Sequence, residues 1–229
     1  MYNGALRPAG TLGLKVIKAN KKERNSNSIF SILHDANPFS KGLDEEVRWW
    51  KIKNLHNLIK PIVKISIAKT LNIPHFYGTL YLTVYKADGR QIDYGLASLR
   101  VVTTAGVNFI ATRLNDGATT IGAFDFHGIG TGAVAEAAAD TGLGTELTTQ
   151  YTVDSTRATG TPSNPTANEY RTVGTNTVDA AVAITEHGVL SQAAVPGGTL
   201  LDRTVFSVIN LANGDSLQST YTITLSAGG

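Results

Sequence analysis

The sequence predicts a mainly β protein: an antiparallel β-sandwich, jelly-roll-like, with one inserted helix, preceded by an extended basic arm and a further helix. Three observations carry this. Charged residues make up 17% of the 229 positions and hydrophobic ones 42%, with 23 glycines. A chain low in charge and rich in Gly, Thr, Ala, Ser and Asn suits short strands, frequent turns and hydroxyl-covered strand faces. From residue 78 onward, strand-length segments are separated by turn signals with a single helical interruption, a pattern of sandwiches rather than of parallel βαβ units. Charge is also split: residues 1–64 hold twelve basic and five acidic residues, net +7, and the remainder holds eight and thirteen, net −5. Such a division sets apart segments with different partners. The chain thus divides into an arm over 1–43, an amphipathic helix and connector over 44–77, and a β domain over 78–229.

The arm is polar, basic and broken by Gly4, Pro8, Gly10, Gly13 and Pro38. Two short apolar clusters, 12–17 and 29–33, are too few to form a core, so the arm is expected to order against a partner. Residues 44–60 predict a helix. Asp44, Glu45 and Glu46 occupy its first turn, where the helix dipole favours acids. Val47, Trp50, Leu55, Leu58 and Ile62 recur at helical spacing, and Pro61 ends or kinks the helix. Arg48, Lys51, Lys53 and Asn54 fall on the other face. Over 62–68, Val63, Ile65 and Ile67 alternate with polar residues, as in a strand or in the tail of a kinked helix.

In the β domain, 79–86 alternates cleanly, Asp88-Gly89 signals a hairpin, and 90–102 returns as its partner. Residues 103–115 predict the inserted helix, with Thr103 or Thr104 as cap and Val107, Ile110, Ala111 and Leu114 at helical spacing. A strand is expected over 119–126. The stretch 128–160 is the least regular, and Gly128, Gly130 and Gly132 read as a tight loop requiring positive φ. Strands follow over 169–178, 181–190, 200–211 and 216–226. Their strongest separators are Pro196-Gly197-Gly198 and Asn213-Gly214-Asp215.

Candidate chemistry is sparse. There are no cysteines, which excludes disulfides, thiolate metal sites and a cysteine nucleophile. The 128–132 glycines lack the Lys of a phosphate loop and the spacing of a dinucleotide fingerprint. His127 and His187, with Asp125 or Glu186, have the types for a metal or for acid–base work, yet no nucleophile motif, no H-E-x-x-H and no third spaced His accompanies them. They read as structural. Asp202-Arg203 interrupts an apolar strand as a buried ion pair, an inter-subunit contact or a solvated face, and Arg157 and Arg171 are expected to pair with acids across strands. The reading is therefore non-enzymatic, with no catalytic, cofactor or metal residues. No leader precedes an apolar run at the N-terminus and no stretch approaches eighteen apolar residues, so neither secretion nor membrane insertion is expected.

The partner-binding candidates are the basic and aromatic residues of the arm and helix: Arg7, Lys15, Lys18, Lys21, Lys22, Arg24, Arg48, Trp49, Trp50, Lys51 and Lys53. Nucleic acid is disfavoured as the partner, because stacking aromatics and a recognised binding fold are lacking.

A set of motifs adds a resemblance. They are Val101-Val-Thr-Thr-Ala-Gly-Val, Phe126-His-Gly-Ile-Gly-Thr-Gly, Thr145-Glu-Leu-Thr-Thr, Asn168-Glu-Tyr-Arg-Thr-Val-Gly-Thr, Ile184-Thr-Glu-His-Gly, Gly198-Thr-Leu-Leu-Asp-Arg-Thr-Val-Phe and Tyr221-Thr-Ile-Thr-Leu-Ser-Ala-Gly-Gly. Specific as a set and weak singly, they resemble a family of small virion proteins of tailed bacteriophages over 94–229. The resemblance implies a structural role on the particle. The leading expectation is a capsid decoration (cement) protein on the head surface that binds the major capsid protein, as a homo-oligomer, with a trimer expected from the class. A tail or head-fibre component, including a receptor-binding adhesin, is the alternative. The N-terminal third lies outside the resemblance and is the segment expected to define attachment.

Overall fold

The computed structural model describes residues 34–71, 73–100, 102–115 and 124–226. The arm clusters at 12–17 and 29–33 lie outside the described residues, as does most of the strand expected at 119–126. The described chain is a mainly β sandwich of two antiparallel sheets. Helix α1 (Glu45–Thr70) leads into the hairpin β1 (His75–Tyr85) and β2 (Gln91–Arg100), followed by α2 (Thr104–Asn115) and β3 (Phe126–Gly130). Next come the short β4 (Ala158–Thr159) and β5 (Thr161–Ser163), then β6 (Glu169–Thr177), β7 (Val182–Leu190), β8 (Leu200–Leu211) and β9 (Ser216–Ser226). One sheet has the order β2-β1-β9-β6-β5 and the other β4-β3-β7-β8. The pairs β1–β2, β5–β6 and β7–β8 each stay within one sheet. These orders define a two-sheet sandwich and do not by themselves define a jelly roll.

Alternation fills the space between the sheets. Leu80, Leu82 and Val84 of β1, Leu217, Tyr221 and Ile223 of β9, Ile129 of β3 and Phe206 and Ile209 of β8 are all buried in one cluster. α2 caps one end. Thr103 accepts from Gly106 N at 3.1 Å and donates to Leu200 O at 2.8 Å, so the capping hydroxyl also ties the helix start to β8. α2 packs through Phe109, set edge-on to Phe124 at 4.8 Å, and through Ile110, whereas Val107 and Ala111 of the expected face are exposed.

α1 decides between the alternatives left open at Pro61: the helix continues to Thr70, and the alternation at 62–68 belongs to its tail rather than to a strand. An internal proline removes a backbone bond and costs about 3 kcal/mol. Against this, Leu58 and Ile65 are buried with Ala36, Tyr77, Leu96 and Leu99 on the outer face of the β1–β2 hairpin. Each fully buried aliphatic side chain returns about 1.5–3 kcal/mol, enough to carry the helix through.

The first half of α1 lies over β2 and β8, the edge strands on one side of the sandwich. Both edges are bulged there. Register shifts leave Tyr94 and Ala97 of β2 without ladder partners, and a shift between Ile184 and Glu186 does the same for Ser207 of β8. α1 takes up these groups. Trp50 Nε1 donates to Ser207 O at 2.7 Å, Ser207 N donates to Asn54 Oδ1 at 3.1 Å, and Asn54 Nδ2 donates to Ala97 O at 2.7 Å. Tyr94 stands edge-on to Trp50 at 5.1 Å and donates to Glu46 Oε1 at 2.6 Å. On the opposite side the chain itself joins the sheets, passing from β4 to β5 through Gly160, where a Cβ would lie 2.2 Å from Thr172 Oγ1.

Trp50→Ala is expected to destabilise the fold by about 3–5 kcal/mol, as for other buried tryptophans. The same change at exposed Trp49 should stay within about 0.5 kcal/mol. Urea midpoints of the two variants measure this, and equal losses would contradict the assignment of Trp50 as the anchor.

Candidate interaction surface

The two histidines meet in the core. His127 on β3 and His187 on β7 are both fully buried, with Nδ1 of the first 2.9 Å from Nε2 of the second. His127 Nε2 lies 3.1 Å from Thr172 Oγ1, and His187 Nδ1 meets no hydrogen-bonding protein group. Burial keeps both imidazoles neutral: it lowers His127 to about 4 and pushes His187 well below its ordinary value, with charge on His127 adding to the latter. Gly174 lies flat under the His127 ring, where an added Cβ would come within 2.4 Å. The ring pair therefore sits between the sheets. Glu186, the carboxylate next in sequence, points to the opposite face. Among the described residues no three metal-ligating side chains converge.

Two carboxylates explain the glycine cluster, Glu146 at Gly128 and Glu186 at Gly130 and Gly132. The cluster is not a loop of positive φ: Gly128 and Gly130 are strand residues of β3, and neither they nor Gly132 has positive φ. They are glycines because there is no room for a Cβ. At Gly130 and Gly132 a Cβ would lie 2.6 and 2.4 Å from Glu186 Oε1. The Glu186 carboxylate is wholly buried and accepts from Gly132 N, Gly144 N and Thr145 N at 2.9, 2.8 and 2.6 Å. Arg203 adds Nε and Nη2 at 2.8 Å each, and its Nη1 reaches Asp140 Oδ2 at 2.9 Å. The feature that resembles a phosphate cradle thus holds the protein's own carboxylate, and it pins the irregular 131–145 segment onto β7.

The other flagged charges are likewise structural. Arg157 forms a two-pronged pair with Glu146, at 2.6 and 2.8 Å, and its Nη1 donates to Gln192, Ala194 and Gly197 carbonyls. Arg171 meets a hydroxyl rather than an acid, donating to Thr222 Oγ1 at 3.1 Å. Asp202 and Arg203 do not pair with each other: Asp202 faces inward, accepting from Thr204 Oγ1 at 3.1 Å beside Tyr221, and Arg203 faces out to Glu186.

The partner-binding candidates separate on α1. Arg48, Trp49 and Lys53 are exposed. Trp50 and Lys51 are not available: Trp50 anchors the helix, and Lys51 donates its Nζ to Asp35 O at 2.7 Å from a buried position against Gly95. Helical phase turns these neighbours of Trp49 inward. Arg7, Lys15, Lys18, Lys21, Lys22 and Arg24 lie outside the described residues. Sequence reasoning missed the outward side of the helix around and beyond Pro61, where Ile59, Val63, Ile67 and the C-cap residue Leu71 stand in the open beside Lys60 and Lys64. Their i, i+4 spacing was the available signal. Near the helix end, a cleft of about 260 Å³ is lined by Lys69, His75, Tyr77, Asn168, Thr224 and Ser226, with the Lys69 ammonium 5.4 Å from the Tyr77 ring centre. Among the described residues no helix is long and apolar enough to cross a membrane.

Glu186→Ala leaves Arg203 with Asp140 alone as its acid, takes the acceptor from three backbone amides, and should destabilise by about 3–5 kcal/mol, read from the urea midpoint; a loss within about 0.5 kcal/mol would contradict the role given to this carboxylate. A second expectation concerns pH. Both imidazoles have folded values below the unfolded one, so the unfolded chain binds more protons as pH falls below about 6.5. Stability is full above that value and declines as pH falls below it, by up to about 1.4 kcal/mol per pH unit for each imidazole, the His127 share running down to about pH 4. A urea midpoint that stays flat between about pH 6.5 and 5 would contradict neutral burial of the pair.

No family model, no curated protein and no solved structure matches this chain.

Proposed function

We propose that this chain is a structural virion protein of a tailed bacteriophage, a capsid decoration protein that attaches to the major capsid protein through its basic arm and α1 and does so as a homotrimer. One observation supports the reading above others. The charged clusters of the β body are buried and engaged in holding it closed, whereas exposed basic and apolar side chains gather on α1, next to the basic arm. A decoration protein requires that division of labour: a rigid, protease-resistant body that resists internal pressure and an adhesive segment that gains order and affinity together on binding. On this reading the protein has no catalytic residue, cofactor or metal.

Titration of purified protein onto expanded, undecorated phage shells tests the proposal. Saturation at a fixed number of copies per shell, lost on deletion of residues 1–40, is the expected result. Binding to host cells but not to shells would replace it with the fibre or adhesin reading, and salt-sensitive binding to DNA in place of shells would replace it with a nucleic-acid role.

A further inference from the structure

We infer that the outward ridge of α1, formed by Ile59, Val63, Ile67 and Leu71, is a docking surface for an acidic amphipathic helix of another protein chain. The inference goes beyond the virion reading and stands without it.

The second half of α1 is apolar on two faces. The inner one, Leu58, Ile62 and Ile65, packs on the β1–β2 hairpin and suffices to hold the helix. The outer four residues lie outside that cluster and expose 52, 51, 53 and 62% of their surface. A surface helix normally carries polar residues there, whereas here an exposed apolar row runs beside the lysines. Their spacing is i, i+4, i+8, i+12, a single row about 18 Å long at 1.5 Å per residue. Such a row is the ridge that seats in the groove of another helix.

Charge selects the occupant. Lys53, Lys60 and Lys64 lie exposed on the same outward side, and no acid occurs between Val47 and Leu71. The complementary helix carries Asp or Glu beside its apolar row, as flanking positions do in coiled coils. A second copy of this ridge would set lysine against lysine. The basic stretch of the arm sequence, with Arg7, Lys15, Lys18, Lys21, Lys22 and Arg24 against Glu23, lacks the acids such an occupant requires. A bilayer surface is better met by a broad apolar face than by a row one side chain wide. Four half-exposed side chains place the contact in the small, transient class, with micromolar affinity.

The test uses the full chain and two fluorescent helical peptides with one apolar row, flanked by glutamates in one and by lysines in the other. Anionic phosphatidylglycerol vesicles form a third arm. The acidic peptide is expected to bind with a Kd of about 1–100 μM, and the lysine peptide at least about tenfold more weakly. Val63→Asp combined with Ile67→Asp should weaken the acidic peptide about tenfold or more while the urea midpoint stays at the wild-type value, because both side chains point to solvent. Lys60→Glu with Lys64→Glu should reverse the peptide preference. Equal affinity for the two peptides, no binding of the acidic peptide, binding to vesicles alone, or self-association of the full chain abolished by the aspartate pair would each overturn the inference.

Discussion

Backbone groups at the rim of a sandwich have to be paired with something, and in this protein the rim on one side is bulged on both sheets at once. Ser207 on β8 and Ala97 on β2 lose their ladder partners to register shifts. A bare edge of this kind recruits strands from other chains, and an unpaired buried group costs about 1–3 kcal/mol. Asn54 resolves both needs with a single amide, accepting from Ser207 N and donating to Ala97 O, and Trp50 completes the set at Ser207 O. From that contact the rest follows. The helix axis is fixed along the seam, its continuation is laid across Tyr77, Leu96 and Leu99, and its outer side is left facing solvent at a defined height above the body.

On the far side of β7 the organising demand is electrostatic. A carboxylate with no exposure needs several donors and a cation, and Glu186 finds them in three backbone amides of the 131–145 segment and in Arg203. The segment has no regular structure of its own, yet it is tied down as firmly as a strand. Asp215 acts similarly at the β8–β9 turn. Burial disfavours its charge, but hydrogen bonds from Ala212 N, Lys86 Nζ and Ala87 N outweigh that and hold the carboxyl below its usual range. Buried charge in this chain fastens loops to sheets.

Much of this architecture is legible in the sequence where local signals and final pairing agree. Residues 200–211 and 216–226 are strand-length segments punctuated by Asn213-Gly214-Asp215, and they form strands with those bounds; Gly214 has φ +83°. Thr103 announces α2 because a cap is a local interaction. The open and mistaken readings come from residues whose role is set by distant neighbours. Pro61 leaves a helix end and a continuing helix both open locally, and packing on β1 and β2 decides between them. Gly128, Gly130 and Gly132 argue locally for a loop, when the small size of Gly130 and Gly132 answers to Glu186, more than fifty positions away in sequence, and that of Gly128 to Glu146. β4 and β5, of two and three residues, exist by pairing alone. The separation of Trp49 from Trp50 required the phase of the helix on its seat, and the outer ridge became visible once the inner face was accounted for.

That last separation has a spectroscopic consequence. The chain contains two tryptophans, adjacent in sequence, one standing in water beside Glu45 and the other enclosed against Tyr94. An indole in water emits further to the red than one packed in a core, so a single protein carries two resolvable reporters one residue apart. Emission from Trp50 registers whether the seam is closed. Emission from Trp49 registers what lies on the outer side of the helix, and a molecule arriving there changes one signal while leaving the other still.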